Sequence, residues 1–297
     1  MFTLAHFSDP HIGPLPRQPV RALLSKRITG YINYKRNRLR ALTGPVLENL
    51  INDLKRQNPD HIALTGDLVN IALPSEITAA RSWLETIGSP DNVSLIPGNH
   101  DAYVAGALDQ AKAAWGPYLL GDGADPSALV QFPYLRRRGP LALIGLSSAV
   151  ATLPFMATGR VGTVQLEETS ALLARLALEN CFRVVMIHHP PFVEKDRRLK
   201  RLVDYRKFNK VIAEVGAELI LHGHTHRASV KYAEGPVGPI PLVGVPSASS
   251  GMSGHHEPAR YNLYQIARPD QHWRCSMIER GLTEDGTFAE IGRSDLI

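Results

Sequence analysis

The sequence lacks several features that would place it in a particular protein class. It contains only two cysteines, Cys181 and Cys275, and neither belongs to a C-x-x-C pair. A disulfide scaffold is therefore not indicated, and we expect buried or half-buried free thiols. Aromatic residues make up only 7% of the chain, but 44% of its residues are apolar, which is enough for a sizeable core.

Long apolar runs and a secretion signal are also missing. No apolar stretch approaches the length of about 20 residues that a membrane-spanning helix requires. The N-terminal residues do not show a basic segment followed by an apolar one, and a candidate metal ligand already stands at Asp9. We therefore expect a cytoplasmic protein whose mature chain begins at this N-terminus.

Acidic residues are absent from residues 12–40, although the whole chain carries 28 of them. This segment holds eight of the 33 Lys and Arg residues, and the remaining 25 face 28 acids, a net charge of −3. The formal charge of +5 is therefore local, and we expect a basic, helical insertion here. It is either a solvated helical face or a cap beside a functional site that contacts a membrane surface or a polyanion.

Predicted strands and helices alternate along the first three quarters of the chain. Apolar periodicity and start signals predict helices at 45–57, 75–87, 165–179 and 205–215, and residues 102–140 are expected to be loop-rich. Beyond residue 230 the pattern becomes β. The alternation predicts β-α-β units around a largely parallel sheet, with the late strands forming a second sheet. We find no convincing linker in the 297 residues.

Metal-binding side chains follow five predicted strands, each at the point where the strand ends. The five patches are Asp9-Pro10-His11, Gly66-Asp67, Gly98-Asn99-His100-Asp101, His188-His189-Pro190 and Gly223-His224-Thr225-His226. In parallel sheets, functional groups gather beyond the carboxyl ends of the strands. One such patch is weak evidence, but five in this order indicate a two-metal phosphoesterase site.

The residue types fit that chemistry. Two divalent cations about 3.5–4 Å apart can clamp a phosphate and generate hydroxide at neutral pH. A shared carboxylate would reduce their mutual repulsion, and Asp67 is the best candidate for this bridge. Imidazole nitrogens combined with carboxylate and amide oxygens favour Mn, Fe or Zn, and argue against a thiolate-rich structural zinc site.

Five sequence strings resemble the motifs of the calcineurin-like metallophosphoesterase superfamily. They are FSDPHIG, LTGDLVN, IPGNHD, MIHHPP and LHGHTH. The closer match is to the small bacterial phosphodiesterase branch, which resembles class III cyclic-nucleotide phosphodiesterases and glycerophosphodiesterases. The resemblance implies an α/β fold of four layers, in which two mixed β-sheets are flanked by helices. It also implies one metallophosphoesterase domain over 1–297, with the basic insertion at about 12–40.

The resemblance further implies roles for the matched residues. Two sets of three side chains would each hold one metal: Asp9, His11 and His226 the first, and Asn99, His188 and His224 the second. Asp67 would bridge the two metals, and a bridging hydroxide would attack phosphorus in line. His100 would stabilise or protonate the leaving oxygen, and Asp101 would orient His100.

Several of these positions have a second interpretation. His189 competes with His188 as a ligand, although the H-x-P spacing favours His188. His222 is read as structural, and Asp101 could instead cap a helix. The histidines at 255–256 lie in a loop rich in Gly and Ser, which is either solvated or a wall of the substrate pocket.

Together these observations predict a phosphodiesterase that uses two divalent cations, Mn, Fe or Zn, on small phosphodiesters such as cyclic nucleotides or glycerophosphodiesters. One alternative is a hydrolase of lipid-linked or pyrophosphate esters that uses the basic cap. Another is a nuclease of the same superfamily. Basic patches alone do not choose between them, because phosphate attraction is blind to sequence. The chain shows no appended nucleic-acid module, so no obligate nucleic-acid partner is expected, and its oligomeric state is left open.

Overall fold

Two six-stranded β-sheets carry the fold. The structure is a computed structural model that describes residues 1–15, 23, 25–35, 44–193, 198–252 and 257–297. The strands are β1 (Phe2–Phe7), β2 (His61–Leu64), β3 (Val93–Leu95), β4 (Tyr134–Arg138), β5 (Leu141–Gly145), β6 (Phe182–Met186), β7 (Leu219–His222), β8 (Ser229–Ala233), β9 (Ile240–Gly244), β10 (Arg260–Ala267), β11 (Arg274–Leu282) and β12 (Phe288–Asp295). The α-helices are α1 (Arg27–Asn33), α2 (Gly44–Arg56), α3 (Pro74–Ile87), α4 (Ala107–Leu119), α5 (Thr163–Ala177) and α6 (Tyr205–Val215).

Both sheets are mixed. The first has the order β12-β11-β10-β1-β2-β3, with β1, β2 and β3 parallel and β10, β11 and β12 antiparallel to their neighbours. The second has the order β4-β5-β6-β7-β9-β8, in which β5, β6, β7 and β9 are parallel and the two edge strands are antiparallel. The carboxyl ends of the parallel strands therefore share one edge within each sheet.

The strands alternate apolar side chains between two cores, as the two-residue period of a strand requires. In β1, Leu4 joins the apolar layer between the sheets, together with Val184 of the second sheet. Its neighbours Ala5 and Phe7 face the helices on the outer side of the first sheet. The four-layer α/β arrangement predicted from the motifs is confirmed.

The helices cover the outer faces of the sheets. Leu54 of α2, Leu84 of α3 and Trp115 of α4 are buried against the first sheet. Leu173 of α5 and Phe208 of α6 are buried against the second. In the part of the chain that the structure describes, no helix has the length and apolar character needed to cross a bilayer.

Two expectations from the sequence were wrong. Residues 102–140, expected to be loop-rich, contain helix α4. The helix tolerates Pro117 because its buried side chains pack against the fold, and Nε1 of Trp115 donates to the Ile77 carbonyl at 3.0 Å. The late strands do not form a sheet of their own. Strands β8 and β9 complete the sheet of β4–β7, whereas β10, β11 and β12 return to extend the sheet of β1.

The basic segment is only partly described. Helix α1 lies within it. The predicted charged cap rests partly on cations outside the described residues, namely Arg17, Arg21, Arg36, Arg38 and Arg40. The histidines at 255–256 also lie outside the described residues.

A buried ion pair fastens α2 to the first sheet. Asp53 of α2 is 3% exposed and accepts hydrogen bonds from Nε of Arg280 at 2.6 Å and from the Tyr261 hydroxyl at 2.5 Å. Burial alone would raise the pKa of Asp53, but the bonds from Arg280 and Tyr261 outweigh it and lower that pKa. The charge on Asp53 is therefore matched inside the fold.

We predict that Arg280→Met lowers the free energy of unfolding by about 3 kcal/mol, because it removes two charged hydrogen bonds from a buried carboxylate and leaves only the exposed Arg56, 3.3 Å from Oδ1 of Asp53. Urea unfolding would measure the change. The control is Arg293→Met, which breaks the exposed pair with Glu290 and should cost far less, because solvent screens an exposed pair. Equal losses in the two variants would contradict the prediction.

The same pair predicts a pH dependence. The folded-state pKa of Asp53 lies below its unfolded value, about 3.9 for an ordinary aspartate. The contribution of the pair is therefore complete above the unfolded pKa and is lost as the pH falls through the folded one. The difference between Arg280→Met and the parent should shrink as the pH drops below about 4.

Candidate metal centre

The candidate ligands lie in the loops that follow β1, β2, β3, β6 and β7, where the two sheets meet at one edge. Hydrogen bonds join these loops across the sheets. Nδ1 of His188, after β6, lies 2.6 Å from the carbonyl oxygen of Thr65, after β2. The backbone N–H of His224, after β7, donates to Oδ2 of Asp9, after β1, at 2.9 Å. The sheet packing thus brings distant motifs into one cluster.

Asp9, His11 and His226 form the first ligand set. Nε2 of His226 is 3.1 Å from Oδ1 of Asp9, and Nε2 of His11 is 3.3 Å from Nε2 of His226. One possible ligand atom from each of the three lies within 4.8 Å of the others. Asp9 and His11 are buried, and His226 is partly exposed.

Asn99, His188 and His224 form the second set. Oδ1 of Asn99 is 2.8 Å from Nδ1 of His224 and 3.2 Å from Nε2 of His188. The two imidazoles also group with Asp67, since one possible ligand atom from each of these three lies within 4.8 Å of the others.

Asp67 stands between the two sets. Its Oδ2 is 3.9 Å from Nε2 of His11 in the first set and 3.4 Å from Nε2 of His188 in the second. Its Oδ1 accepts the backbone N–H of His100 at 2.6 Å. The carboxylate therefore has the position that a bridge between two cations requires.

Backbone carbonyl groups orient three of the candidate imidazoles. The pairs are His11 Nδ1 with the Val69 oxygen at 3.1 Å, His188 Nδ1 with the Thr65 oxygen at 2.6 Å, and His224 Nε2 with the Lys200 oxygen at 2.7 Å. A carbonyl can only accept, so the nitrogen facing it must carry the proton. The opposite nitrogen is then the one that can bind a metal. The sequence does not reveal these partners, because a carbonyl group is common to every residue type.

Five of the seven candidate ligands have a left-handed backbone. Their φ angles are 53° for Asp9, 39° for His11, 56° for Asp67, 67° for His224 and 54° for His226. Such angles are uncommon outside glycine, and they cluster at functional sites where the surrounding structure compensates for the strain. This conformation turns the side chain of each loop toward the shared space.

Two motif glycines allow the loops to approach one another closely. A Cβ on Gly98 would lie 2.2 Å from Oδ1 of Asp67, and a Cβ on Gly223 would lie 1.9 Å from Oγ of Ser8. Both distances are far below a van der Waals contact. The glycines of G-N-H-D and G-H-x-H are thus required by crowding at this edge.

The electrostatics of the cluster favour cations. Burial alone would raise the pKa of Asp67, but the imidazoles of His188 and His100 hold it well below its usual range. Burial alone would lower the pKa of His188, but the Asp67 carboxylate raises it to about 9. A metal that binds here must displace the His188 proton. Two compact sets of imidazole, carboxylate and amide donors around one shared carboxylate fit a pair of divalent cations.

His100 lies beside the candidate ligands. One of its ring nitrogens is within 4.8 Å of possible ligand atoms of His11 and Asp67. Its Nδ1 is 2.5 Å from the carbonyl oxygen of Asn70, and its ring stacks on Tyr103 with centroids 5.4 Å apart. The Asn70 carbonyl and the Tyr103 ring, neither of which sequence reasoning identified, therefore hold the imidazole in place.

Asp101 has four backbone donors. Its Oδ2 accepts from the N–H groups of Asp67 at 2.9 Å and Gly98 at 2.8 Å. Its Oδ1 accepts from Leu68 at 2.9 Å and Val69 at 3.3 Å. Burial and the nearby Asp67 carboxylate raise the pKa of Asp101 to about 7, and the N–H groups of Gly98 and Val69 oppose that rise. Asp101 thus holds the loop that carries Asp67 in its left-handed conformation.

The remaining histidines lie outside the two ligand sets. His189 Nδ1 faces the Ser148 hydroxyl at 2.8 Å, and its Nε2 faces the Ala157 carbonyl at 3.2 Å. His222 is fully buried, and its Nδ1 lies 3.1 Å from the Gly223 carbonyl. Between the two neighbours after β6, this geometry favours His188 as the ligand.

The profile of the calcineurin-like phosphoesterases matches residues 2–228. The chain belongs to this family. It is accordingly a metal-dependent hydrolase of phosphoric esters, as its motifs predicted. The probable cyclic nucleotide phosphodiesterase of Synechococcus sp. is 27% identical over 239 residues, which cover 80% of this chain and 83% of that protein.

Solved structures share the fold at low identity. A dimetal phosphatase from Danio rerio matches with a TM-score of 0.63 at 12% identity, over 99% of both chains. A purple acid phosphatase from yellow lupin matches with a TM-score of 0.59 at 13% identity, over 97% of this chain and 52% of that one. At such identities these two likenesses establish the fold alone.

We predict that Asp101→Asn destabilises the protein through the Asp67 loop. The amide of asparagine would turn its own N–H groups toward backbone N–H groups that now donate to Asp101. Each buried N–H group left without an acceptor lowers the free energy of unfolding by about 1–3 kcal/mol. Urea unfolding in a chelator should therefore show a loss of about 2–4 kcal/mol. The control is Asp270→Asn at an exposed turn between β10 and β11. An unchanged free energy of unfolding in Asp101→Asn would contradict this role.

Proposed function

We propose that the protein is a phosphodiesterase that hydrolyses small phosphodiesters, such as cyclic nucleotides or glycerophosphodiesters. The observation that carries the proposal is the group of seven candidate ligands, in which Asp67 stands between two sets of three, with His100 beside them. The similarity to a protein named as a probable cyclic nucleotide phosphodiesterase supports the substrate class. We further propose that the chain works as one domain, since side chains of both sheets share one core.

Asp9, His11 and His226 would hold one cation, Asn99, His188 and His224 would hold the other, and Asp67 would serve both. When bound, such a pair of Mn, Fe or Zn ions polarises the phosphoryl oxygens and activates water at neutral pH. The protein's own contribution is to fix the donors: carbonyl groups set the histidine tautomers, and Asp101 fixes the Asp67 loop.

His100 is the proposed proton donor to the leaving oxygen. With Nδ1 directed at the Asn70 carbonyl, Nε2 is the nitrogen that can give up a proton. The Asp67 carboxylate lies beside the imidazole, and the stacked Tyr103 ring limits its rotation. This arrangement satisfies the positional requirement for a general acid.

The test of the proposal is metal content and turnover of Asp67→Ala. The parent should bind two divalent ions and hydrolyse diesters such as bis-p-nitrophenyl phosphate faster than the monoester p-nitrophenyl phosphate. Asp67→Ala should lose both ions or nearly all turnover, because its carboxylate lies between both ligand sets. Asp270→Ala, at an exposed turn, is the control. Two tightly bound ions and normal turnover in Asp67→Ala would refute the bridge.

His100→Ala should retain the metals and lose turnover by about 10²–10⁴-fold, as expected for a lost general acid. The loss should be smaller for a good leaving group such as p-nitrophenolate, which departs without a proton. Single-turnover rates on a p-nitrophenyl diester and on an alkyl diester would measure the difference, with exposed His272→Ala as the control. Equal losses on both substrates would exclude proton donation.

A further inference from the structure

Three segments border the candidate metal centre and form what we call the rim: helix α1 (Arg27–Asn33), the loop 151–157 and the short helix Arg198–Lys200. Nζ of Lys26 donates to the Thr152 hydroxyl at 2.6 Å and to the Met156 carbonyl at 2.9 Å, which joins the start of α1 to the loop. The N–H of Ala157 donates to the Leu199 carbonyl at 2.8 Å, which joins the loop to the short helix. The rim is therefore continuous.

The rim also touches the centre directly. The Lys200 carbonyl faces Nε2 of the candidate ligand His224 at 2.7 Å. On the other side, Nζ of Lys26 lies 4.7 Å from the centre of the Tyr103 ring, which stacks on His100. The rim therefore adjoins the candidate metal centre at both ends, through Lys200 and through Lys26.

Apolar side chains of the rim point into solvent. Phe155 is 83% exposed, Leu153 is 72% exposed and Leu199 is 55% exposed. Ile28 and Ile32, one helical turn apart on α1, are also exposed. Single exposed apolar residues need no explanation, but a group of them beside a functional site marks a binding surface.

Phe155 is held in a conformation that costs energy. Its φ of 66° is unusual for a bulky side chain. The loop is fixed on both sides of it, because the Thr152 hydroxyl and Lys26 both donate to the Met156 carbonyl. The surroundings maintain this backbone strain, although the side chain of Phe155 packs against little of the protein. Such strain indicates a role in binding.

The charge of the rim has one sign. Residues 25–35, 147–162 and 198–203 contain no Asp or Glu. The exposed cations of these stretches are Arg198 and Lys200 in the rim, and Lys35 and Arg160, which lie two and three residues beyond it in sequence. Exposed apolar side chains combined with cations, and without acids, match the surface of a lipid bilayer, where phosphate groups lie above the hydrocarbon layer.

We propose that the rim docks onto the surface of an anionic phospholipid bilayer, with Leu153 and Phe155 inserted between the headgroups. A protein partner matches this surface less well. The cores of protein interfaces are depleted in lysine, and a protein partner would not require that all charges of the surface be positive. Docking would place the phosphodiester of a lipid headgroup beside the metals. This consequence rests on the proposed function, whereas the docking itself does not.

The test is sedimentation of the Mn-loaded protein with vesicles. One preparation contains equal parts of phosphatidylglycerol and phosphatidylcholine, and the other contains phosphatidylcholine only. The parent should bind the anionic vesicles and be released by high salt, because exposed charges are screened. Leu153→Ser combined with Phe155→Asn should weaken that binding by about tenfold or more. Asparagine tolerates the left-handed backbone of residue 155, so the loop should keep its shape.

A charge variant and a matched control complete the set. Arg198→Glu should weaken binding to the anionic vesicles by about fivefold or more. The control is Leu178→Ser combined with Val237→Ser, which removes side chains that are 85% and 100% exposed. These two residues precede β6 and β9, at the opposite edge of the second sheet, and their loss should not change binding.

Each other outcome contradicts the inference. A parent protein that stays in the supernatant with both kinds of vesicle, or rim variants that bind like the parent, would overturn it. So would a dimer in gel filtration that the Leu153 and Phe155 changes dissociate while vesicles bind nothing, since the rim would then dock a second copy. Turnover of a soluble diester by the parent is measured in parallel. Normal turnover without vesicle binding rejects only the docking, and vesicle binding without diester turnover rejects only the proposed function.

Discussion

The buried carboxylate of Asp67 is the constraint on which the site depends. It lies within 4 Å of imidazole nitrogens from both ligand sets, at 3.9 Å from His11 and 3.4 Å from His188. A charge in such a position is stable only when other groups match it. The surrounding imidazoles match it here, and they hold the pKa of Asp67 well below its usual range. Two cations would match it further.

Much of the surrounding backbone serves to hold that carboxylate in place. Asp67 has a φ of 56°, and Asp101 fixes this conformation by accepting the N–H groups of residues 67, 68 and 69. Position 98 requires glycine, because Oδ1 of Asp67 occupies the space that a Cβ would fill. Strain, crowding and buried charge coincide at this edge of the sheets, and the extensive apolar cores away from it supply the stability that offsets them.

The two sheets have different parts in the chemistry. The first supplies Asp9, His11, Asp67 and the Asn99–Asp101 turn, and the second supplies the remaining histidines. Each ligand set mixes residues from both sheets, so neither sheet could form a set alone. The rim adds a third component, because its short helix contacts His224 through a carbonyl while its side chains face outward. The proposed docking at the rim and the proposed binding of metals would therefore share one segment of backbone.

The sequence by itself determined which residues are candidate ligands, their order and the strands that precede them, because each motif is local and follows a strand that apolar runs reveal. It also determined α6 at 205–215, whose apolar side chains follow the helical period. Tertiary structure decided what depends on distant contacts. Helix α4 forms around Pro117 because Trp115 is buried, and β10–β12 join the first sheet because they pair with β1. It also decided which backbone carbonyls orient His11, His100, His188 and His224, since every residue carries that group and only the fold brings one of them within reach.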